Sequence, residues 1–259
     1  MRPVKKKQLK LWQFEHFGSG EAIDHFVTQR HSFSEDEEFN ISFSTSPDPA
    51  VVSRHRALLA EAMGVNANLL FLPRQVHADH IVRVNAMTPH DLLTDTDALI
   101  SNDPKVCIAV MSADCVPILL YDKLHKAVGA VHAGWKGTVL HIVQKTLERM
   151  QLEFGTEGKD VMAAIGPSVC QASYEVGHEV VEAVKQNFNN ADELLAPLEN
   201  GKAKLDLWRA NCSQLIHFGV KPEHIEIANT CTVIQNQHFF SARKGDSGRF
   251  AAGIRLLQH

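Results

Sequence analysis

The 259-residue chain lacks a basic excess: 26 Lys and Arg stand against 30 Asp and Glu, for a net charge of -4. A cationic face broad enough for nucleic acid or an anionic membrane is therefore not expected, although a small phosphate is within reach. No apolar run approaches the roughly 20 residues that span a bilayer, and Lys5, Lys6 and Lys7 are not followed by the apolar core of a signal peptide. A cytoplasmic protein is the expectation. CxxC pairs are also missing. The five cysteines, Cys107, Cys115, Cys170, Cys212 and Cys231, suit reduced thiols better than a disulfide framework. No linker, repeat or low-complexity tract divides the chain, so residues 1–259 are expected to form one domain. What is present suffices for a core, with 44% hydrophobic and 22% charged residues.

The first 45 residues read as a loop-rich opening with strand-like pieces around Gln8 to Phe14 and His25 to Gln29. Asp48 followed by Pro49 then predicts a capped helix carrying Val51, Leu58, Leu59 and Ala62, stopped by Gly64. Short β-branched and aliphatic runs predict strands at 69–72, 81–84, 98–100, 106–111, 116–121 and 127–131. Helices are expected at 138–150, 174–188 and 207–218, and strands at 161–165, 225–228 and 250–256. The pattern is that of a mixed α/β (α+β) domain.

Polar residues that interrupt buried strands are the places to look for chemistry, because burial there must be compensated. Three segments qualify: Arg74-Gln75-Val76-His77, Ser112-Ala113-Asp114-Cys115, and His132-Ala133-Gly134-Trp135-Lys136-Gly137-Thr138. His77, Cys115 and His132 together offer two imidazoles and a thiolate. Zinc prefers such a set, copper accepts it, and three protein ligands leave a fourth position open. Their spacing is not a compact metal motif, and each also suits a hydrogen-bonded core histidine or a small core thiol. The Gly-Trp-Lys-Gly turn ends a strand and opens a helix, an arrangement that suits an anion although it is not a Walker A sequence. Lys136, Arg243 and Arg249 would add positive charge there; the alternative is a solvated basic loop.

Seven stretches carry a resemblance: RQVHAD at 74–79, DALIS at 97–101, SADCVPILLYD at 112–122, VGAVHAGWKGT at 128–138, AIGPS at 164–168, YEVG at 174–177 and FFSARKGDSGRFAAGI at 239–254. The chain resembles the YfiH-like family, also called the laccase-domain or polyphenol oxidoreductase family, whose members include purine nucleoside phosphorylases. The likeness is densest over 74–254. It implies a single-domain layered α/β/β/α sandwich with zinc held by His77, Cys115 and His132. It further implies phosphorolysis of adenosine, inosine, guanosine and methylthioadenosine by inorganic phosphate, with adenosine deamination beside it. The chain departs from the family in lacking the N-terminal glycine pair, in carrying Cys170 where a glycine is usual, and in carrying Lys244 where an arginine is usual.

On that reading Arg74, Lys136 and Arg243 bind the anion, and Gln75 or Asn40 reaches sugar or base. Asp114 either moves a proton, in catalysis with Cys115, His77 and His132, or supports a ligand. Zinc-activated water would serve deamination. Monomer and dimer are both compatible with the residues. Three alternatives stand beside it. The first is copper-dependent polyphenol oxidation, for which the HxH pairs of multicopper sites are missing. The second is a cysteine hydrolase with Cys115 as nucleophile and His132 as base. The third is a metal-dependent scaffold.

Overall fold

The computed structural model describes residues 1–18 and 22–258. Two six-stranded sheets dominate it. Sheet 1 runs β1 (Arg2–Lys6), β2 (Leu9–Gln13), β3 (Ile23–Thr28), β15 (Phe250–Leu256), β7 (Cys107–Ser112) and β4 (Leu70–Phe71). Sheet 2 runs β14 (Ile225–Ile227), β10 (Val161–Ile165), β8 (Val116–Asp122), β9 (Ala127–Ala133), β6 (Ala98–Ser101) and β5 (Ile81–Arg83).

Side-chain alternation dictates the layering. In β7, Ile108 and Val110 face sheet 2, where they meet Leu119, Tyr121, Val128 and Ala130. Cys107 and Ala109 point the other way, onto Leu59 and Ala60 of helix α1 (Pro49–Ala62). The far face of sheet 2, with Ile118, Leu120 and Val131, is covered by α3 (Ile142–Phe154), α4 (His178–Asn187) and α6 (Leu207–Phe218). The central strands are thus covered on both faces, which is why β8 and β9 are buried along their whole length. The result is the expected α/β/β/α sandwich. A small third sheet, β11 (Glu175–Val176), β13 (Ala203–Leu205) and β12 (Leu195–Pro197), completes the strands, and helices α2 (Trp135–Val139) and α5 (Ala191–Leu194) complete the helices among the described residues.

Three expectations are corrected. The opening is not loop-rich throughout: β1, β2 and β3 form an antiparallel meander, and among the described residues 14–18 and 29–45 are irregular. Residues 19–21, within that opening, lie outside the described residues. The helix expected at 138–150 is two helices, because His141 adopts a left-handed backbone (φ 58°) between α2 and α3. Residues 174–177 are not helical but enter β11, where Glu175 pairs with Lys204. The Asp48 cap holds as expected, its carboxylate accepting from Ala50 and Val51 N–H.

One buried histidine ties the meander to acid stability. His25 in β3 is 1% exposed, packs on Phe14 and Phe17, and accepts the Phe14 N–H at Nε2 (2.8 Å). Burial pushes its pKa down to about 4, against the pull of Asp24. The unfolded chain takes up that proton near pH 6.5, so it binds more protons than the native state between about pH 4 and 6.5. Stability therefore falls as the pH is lowered through that window, with a contribution from His25 of about 3 kcal/mol. Urea titrations of wild type and His25→Gln are expected to diverge there, the variant showing the shallower loss; parallel profiles would refute the assignment.

Candidate metal centre and cavity

The chain crosses between the stacked sheets twice in one neighbourhood. Residues 72–80 run from β4 in sheet 1 to β5 in sheet 2, and residues 113–115 run from β7 to β8. The first crossing carries His77, the second carries Cys115, and β9 ends beside them with His132. One ligand atom from each of these three residues lies within 4.8 Å of the others, and together they can hold a metal ion. His132 is buried, Cys115 half-buried and His77 exposed, so the cluster opens outward.

Asp97, at the start of β6, organises the group. Its carboxylate accepts the backbone N–H of Val76 (3.2 Å), His77 (3.0 Å) and Ala78 (2.9 Å), and its Oδ1 also accepts His132 Nδ1–H (2.8 Å). The Asp97 carbonyl accepts the His132 N–H as well (2.8 Å). A carboxylate only accepts, so the proton sits on Nδ1 and Nε2 is presented to the metal position. Burial works against the Asp97 charge, but the His132 and backbone bonds hold its pKa below the usual carboxylate value.

Electrostatics favour ligation. Burial alone would raise the Cys115 pKa; His132, by charge and hydrogen bond, and then His77 reverse this and bring it down to about 6. His132 is raised to about 9 by Cys115 and Asp97 against burial. The pull is mutual, each group favouring the charged form of the other, and a metal ion binds these same donors in place of a proton. Sterics fit too. A Cβ on Gly134 would stand 2.9 Å from Cys115 Sγ and 3.0 Å from His77 Cδ2, so only glycine leaves room for the ligands to converge. The donor set, the free Nε2 and this clearance all suit a soft or borderline metal such as zinc or copper.

A cavity of about 900 Å³ opens over the cluster, within the range of small-molecule sites. His77, Cys115, His132 and Asp114 line it, as do Arg74 and Arg243. Arg74 is exposed and pairs with Asp95 (3.0 Å). Arg243 lies over the Tyr174 ring (4.6 Å) and donates to Glu175 O (2.8 Å).

Other expected contacts sit differently. Gln75 reaches the cavity wall, yet its amide is engaged by Met111, donating to its carbonyl and accepting its N–H (both 2.8 Å). Asn40 is absent from the lining, and its Oδ1 accepts Ser42 and Arg249 N–H (3.0 Å each). Lys136 is also absent from the lining; it is exposed and extends over the Trp135 ring. Asp114 is 7% exposed, with Oδ1 accepting Thr232 Oγ1–H (2.6 Å) and Oδ2 accepting Arg243 N–H (2.8 Å).

Sequence reading did not single out Asp97, Arg56 or Tyr174. Asp97 opens the quoted DALIS stretch, and a carboxylate heading the apolar run Ala98-Leu99-Ile100 was the available signal. Arg56 lies in the α1 helix pattern, where an arginine reads as a solvated face. It is instead half-buried in the cavity wall, donating to Ile41 O (2.8 Å) and stacking on Phe43 (4.3 Å). Burial pulls its pKa down to about 10, which leaves it charged at neutral pH.

Fold and site together define an α/β/β/α protein with a His-Cys-His cluster at the floor of an arginine-lined cavity. Residues 24–257 match the family described as "Multi-copper polyphenol oxidoreductase laccase", and the chain belongs to that family. It is 40% identical to a Bacteroides thetaiotaomicron protein named purine nucleoside phosphorylase, over 96% of this chain and 97% of that one. It is 34% identical to adenosine deaminase RL5 from an unknown prokaryotic organism, over 95% and 98%. Among solved structures, YlmD from Geobacillus stearothermophilus superposes with a TM-score of 0.88 at 25% identity, covering 98% of both chains. No helix among the described residues is long and apolar enough to cross a membrane.

Asp97→Asn keeps the shape but substitutes an amide for the carboxylate that orients His132 and the His77 loop. Metal affinity is expected to fall about 10–100-fold, the usual effect of losing a ligand's orienting partner. Competition against a chromophoric chelator measures it, and an unchanged affinity would remove Asp97 from this role.

Proposed function

We propose that the protein is a zinc-dependent purine nucleoside phosphorylase with adenosine deaminase as companion activity, acting on adenosine, inosine, guanosine and methylthioadenosine. The observation that carries this reading is the joining of a His-Cys-His cluster to a nucleoside-sized cavity whose wall holds Arg56, Arg74, Arg243 and Arg249. The names of the relatives support it. His77, Cys115 and His132 would hold the zinc, which supplies Lewis acidity when bound.

The chain's own residues account for the rest. In phosphorolysis a phosphate oxygen attacks C1′ while the bond to the purine breaks and the base leaves with the electron pair. The arginines bind and orient the phosphate; Arg56 and Arg243, held on Phe43 and Tyr174, do so with little freedom left to lose. Phe43 offers an exposed ring against which a purine can stack. Tyr174 is pushed up to about 12 by burial, so its hydroxyl keeps its proton and can donate to the substrate. Both oxygens of Asp114 are taken, which favours support of the Cys115–Arg243 neighbourhood over proton shuttling. The same reasoning moves Gln75 and Asn40 to loop positioning and Lys136 away from the anion.

A second reading keeps a specific observation. Cys115, His132 and Asp97 align as nucleophile, base and orienting carboxylate would, the arrangement of a cysteine hydrolase. His77 on the same sulfur favours ligation.

Chromatography separates the readings. Metal-quantified protein incubated with adenosine or inosine is expected to release free base and ribose 1-phosphate only when phosphate is present, and inosine from adenosine without it. Cys115→Ser and His132→Ala should each lose metal and phosphate-dependent cleavage together; full activity in either sinks the site assignment. Intact nucleoside at full zinc occupancy would sink the phosphorylase reading, and activity lost to thiol alkylation with zinc retained would favour the hydrolase.

Arg56→Gln is expected to raise the KM for phosphate at least about tenfold, or roughly 1.4 kcal/mol, while adenosine deamination, which uses no phosphate, stays near wild type. Equal losses in both reactions would instead assign Arg56 to the nucleoside or to the fold.

A further inference from the structure

A second sulfur site lies one residue behind the cavity wall. Cys170 opens the turn 171–173 and Cys231 pairs with Ser168 in an isolated bridge. The Cys231 sulfur accepts the Cys170 N–H (3.3 Å), and both thiols reach one hydroxyl, Ser173 Oγ, at 3.6 Å from Cys170 and 3.8 Å from Cys231. Two sulfurs share one hydroxyl, and one of them already lies against the other residue's backbone nitrogen, so the two side chains stand side by side. Cys170 is half-buried and accessible, whereas Cys231 is 5% exposed.

We propose that Cys170 and Cys231 are a modification site: a dithiol that a hydroperoxide closes to a disulfide. The Cys170 sulfur attacks the peroxide and takes one oxygen as a sulfenic acid, releasing water from hydrogen peroxide or an alcohol from an organic hydroperoxide. The Cys231 sulfur then attacks Cys170, the S–S bond forms as the S–O bond breaks, and the oxygen leaves as water. Two thiols are oxidised by two electrons, and one hydroperoxide is reduced. Burial works against charge on Cys231, but the Cys170 N–H and thiol hold its pKa below the usual thiol value, which suits the resolving step.

The position gives the bond a consequence. Val169, before Cys170, donates its N–H to Asp114 O (2.9 Å), and Thr232, after Cys231, donates to Asp114 Oδ1 (2.6 Å). The disulfide would tie together the two segments that grip Asp114, next to Cys115.

Zinc-loaded full-length protein is treated with one equivalent of hydrogen peroxide, alkylated with iodoacetamide, digested without reductant and analysed by mass spectrometry. The expected product is a cross-linked peptide pair joining Cys170 to Cys231, lost on treatment with dithiothreitol. The two peptides recovered separately, each alkylated, would overturn the proposal, as would Cys170 ending as sulfinic acid or a cross-link made to Cys115. Cys170→Ser is expected to lose the cross-link and keep wild-type zinc content; a cross-link at Cys231 that persists in this variant would also overturn it.

Discussion

Everything at the site depends on one buried carboxylate. Asp97 has no exposed surface, and an ionised carboxylate in that position would lose several kcal/mol of hydration if it stood alone. Four hydrogen bonds offset the loss, three from consecutive backbone N–H groups and one from His132. Charge-assisted bonds of this kind contribute about 1.5–3 kcal/mol each. Their geometric effect matters as much as their energy. Consecutive N–H groups converge on one acceptor only if the backbone turns sharply, and His77 accordingly sits in the left-handed region (φ 63°). The carboxylate that fixes the ring of one ligand thus also bends the chain that delivers another.

The stacked sheets explain why the third ligand arrives at the same point. A chain leaving β7 must turn out of sheet 1 to enter β8 in sheet 2, and it does so over residues 113–115. Asp114 takes the strained conformation there (φ 88°), of the kind that costs about 1–3 kcal/mol and persists where surroundings over-determine it. Thr232, Val169 and Arg243 supply that surrounding. The strained residues at this corner, His77 and Asp114, are a ligand and the neighbour of a ligand. Two rigid crossings and one strand end position the cluster, so no long loop has to be ordered to make it.

Legibility in the sequence followed the range of the interactions involved. Helix α1 was readable from Asp48 and Pro49 because a cap is local, and α6, β10 and β15 from apolar periodicity bounded by polar residues. The opening strands were not. Lys5 and Lys10 face solvent on a meander whose buried partners, such as Ile254 opposite His25, lie more than 200 residues away. The break at His141 was hidden because apolar residues, Val139, Leu140, Ile142 and Val143, run through it without a glycine or proline to mark a stop. At the site, His77, Cys115 and His132 stood out because their motifs are distinctive, but the partners of polar side chains did not. Gln75 looks like a substrate contact until Met111, 36 positions on, is found holding both ends of its amide. Asp97 and Arg56 were overlooked for the converse reason, since their sequence surroundings are ordinary and their importance comes from residues brought in by the fold.

The metal cluster and the cationic wall are mechanically one unit. Cys115 follows Asp114 directly, and Asp114 holds the backbone of Arg243 through its second oxygen. Arg243 in turn is held on Tyr174, whose segment is anchored through Val169 to the carbonyl of the same Asp114. Cys115 and the Arg243 guanidinium are therefore linked through Asp114 by a short run of covalent and hydrogen bonds. Arg56 is tied in from the other side, since Met111 is bonded to Gln75, two residues before His77, and its sulfur lies 3.7 Å from the guanidinium. Arg56 and Arg243 both line the cavity that opens over His77 and Cys115. The arginines of the cavity wall and the His-Cys-His cluster are thus joined by short covalent and hydrogen-bonded paths, and preorganisation of this kind is what a reaction aligning two reactants over one centre would need.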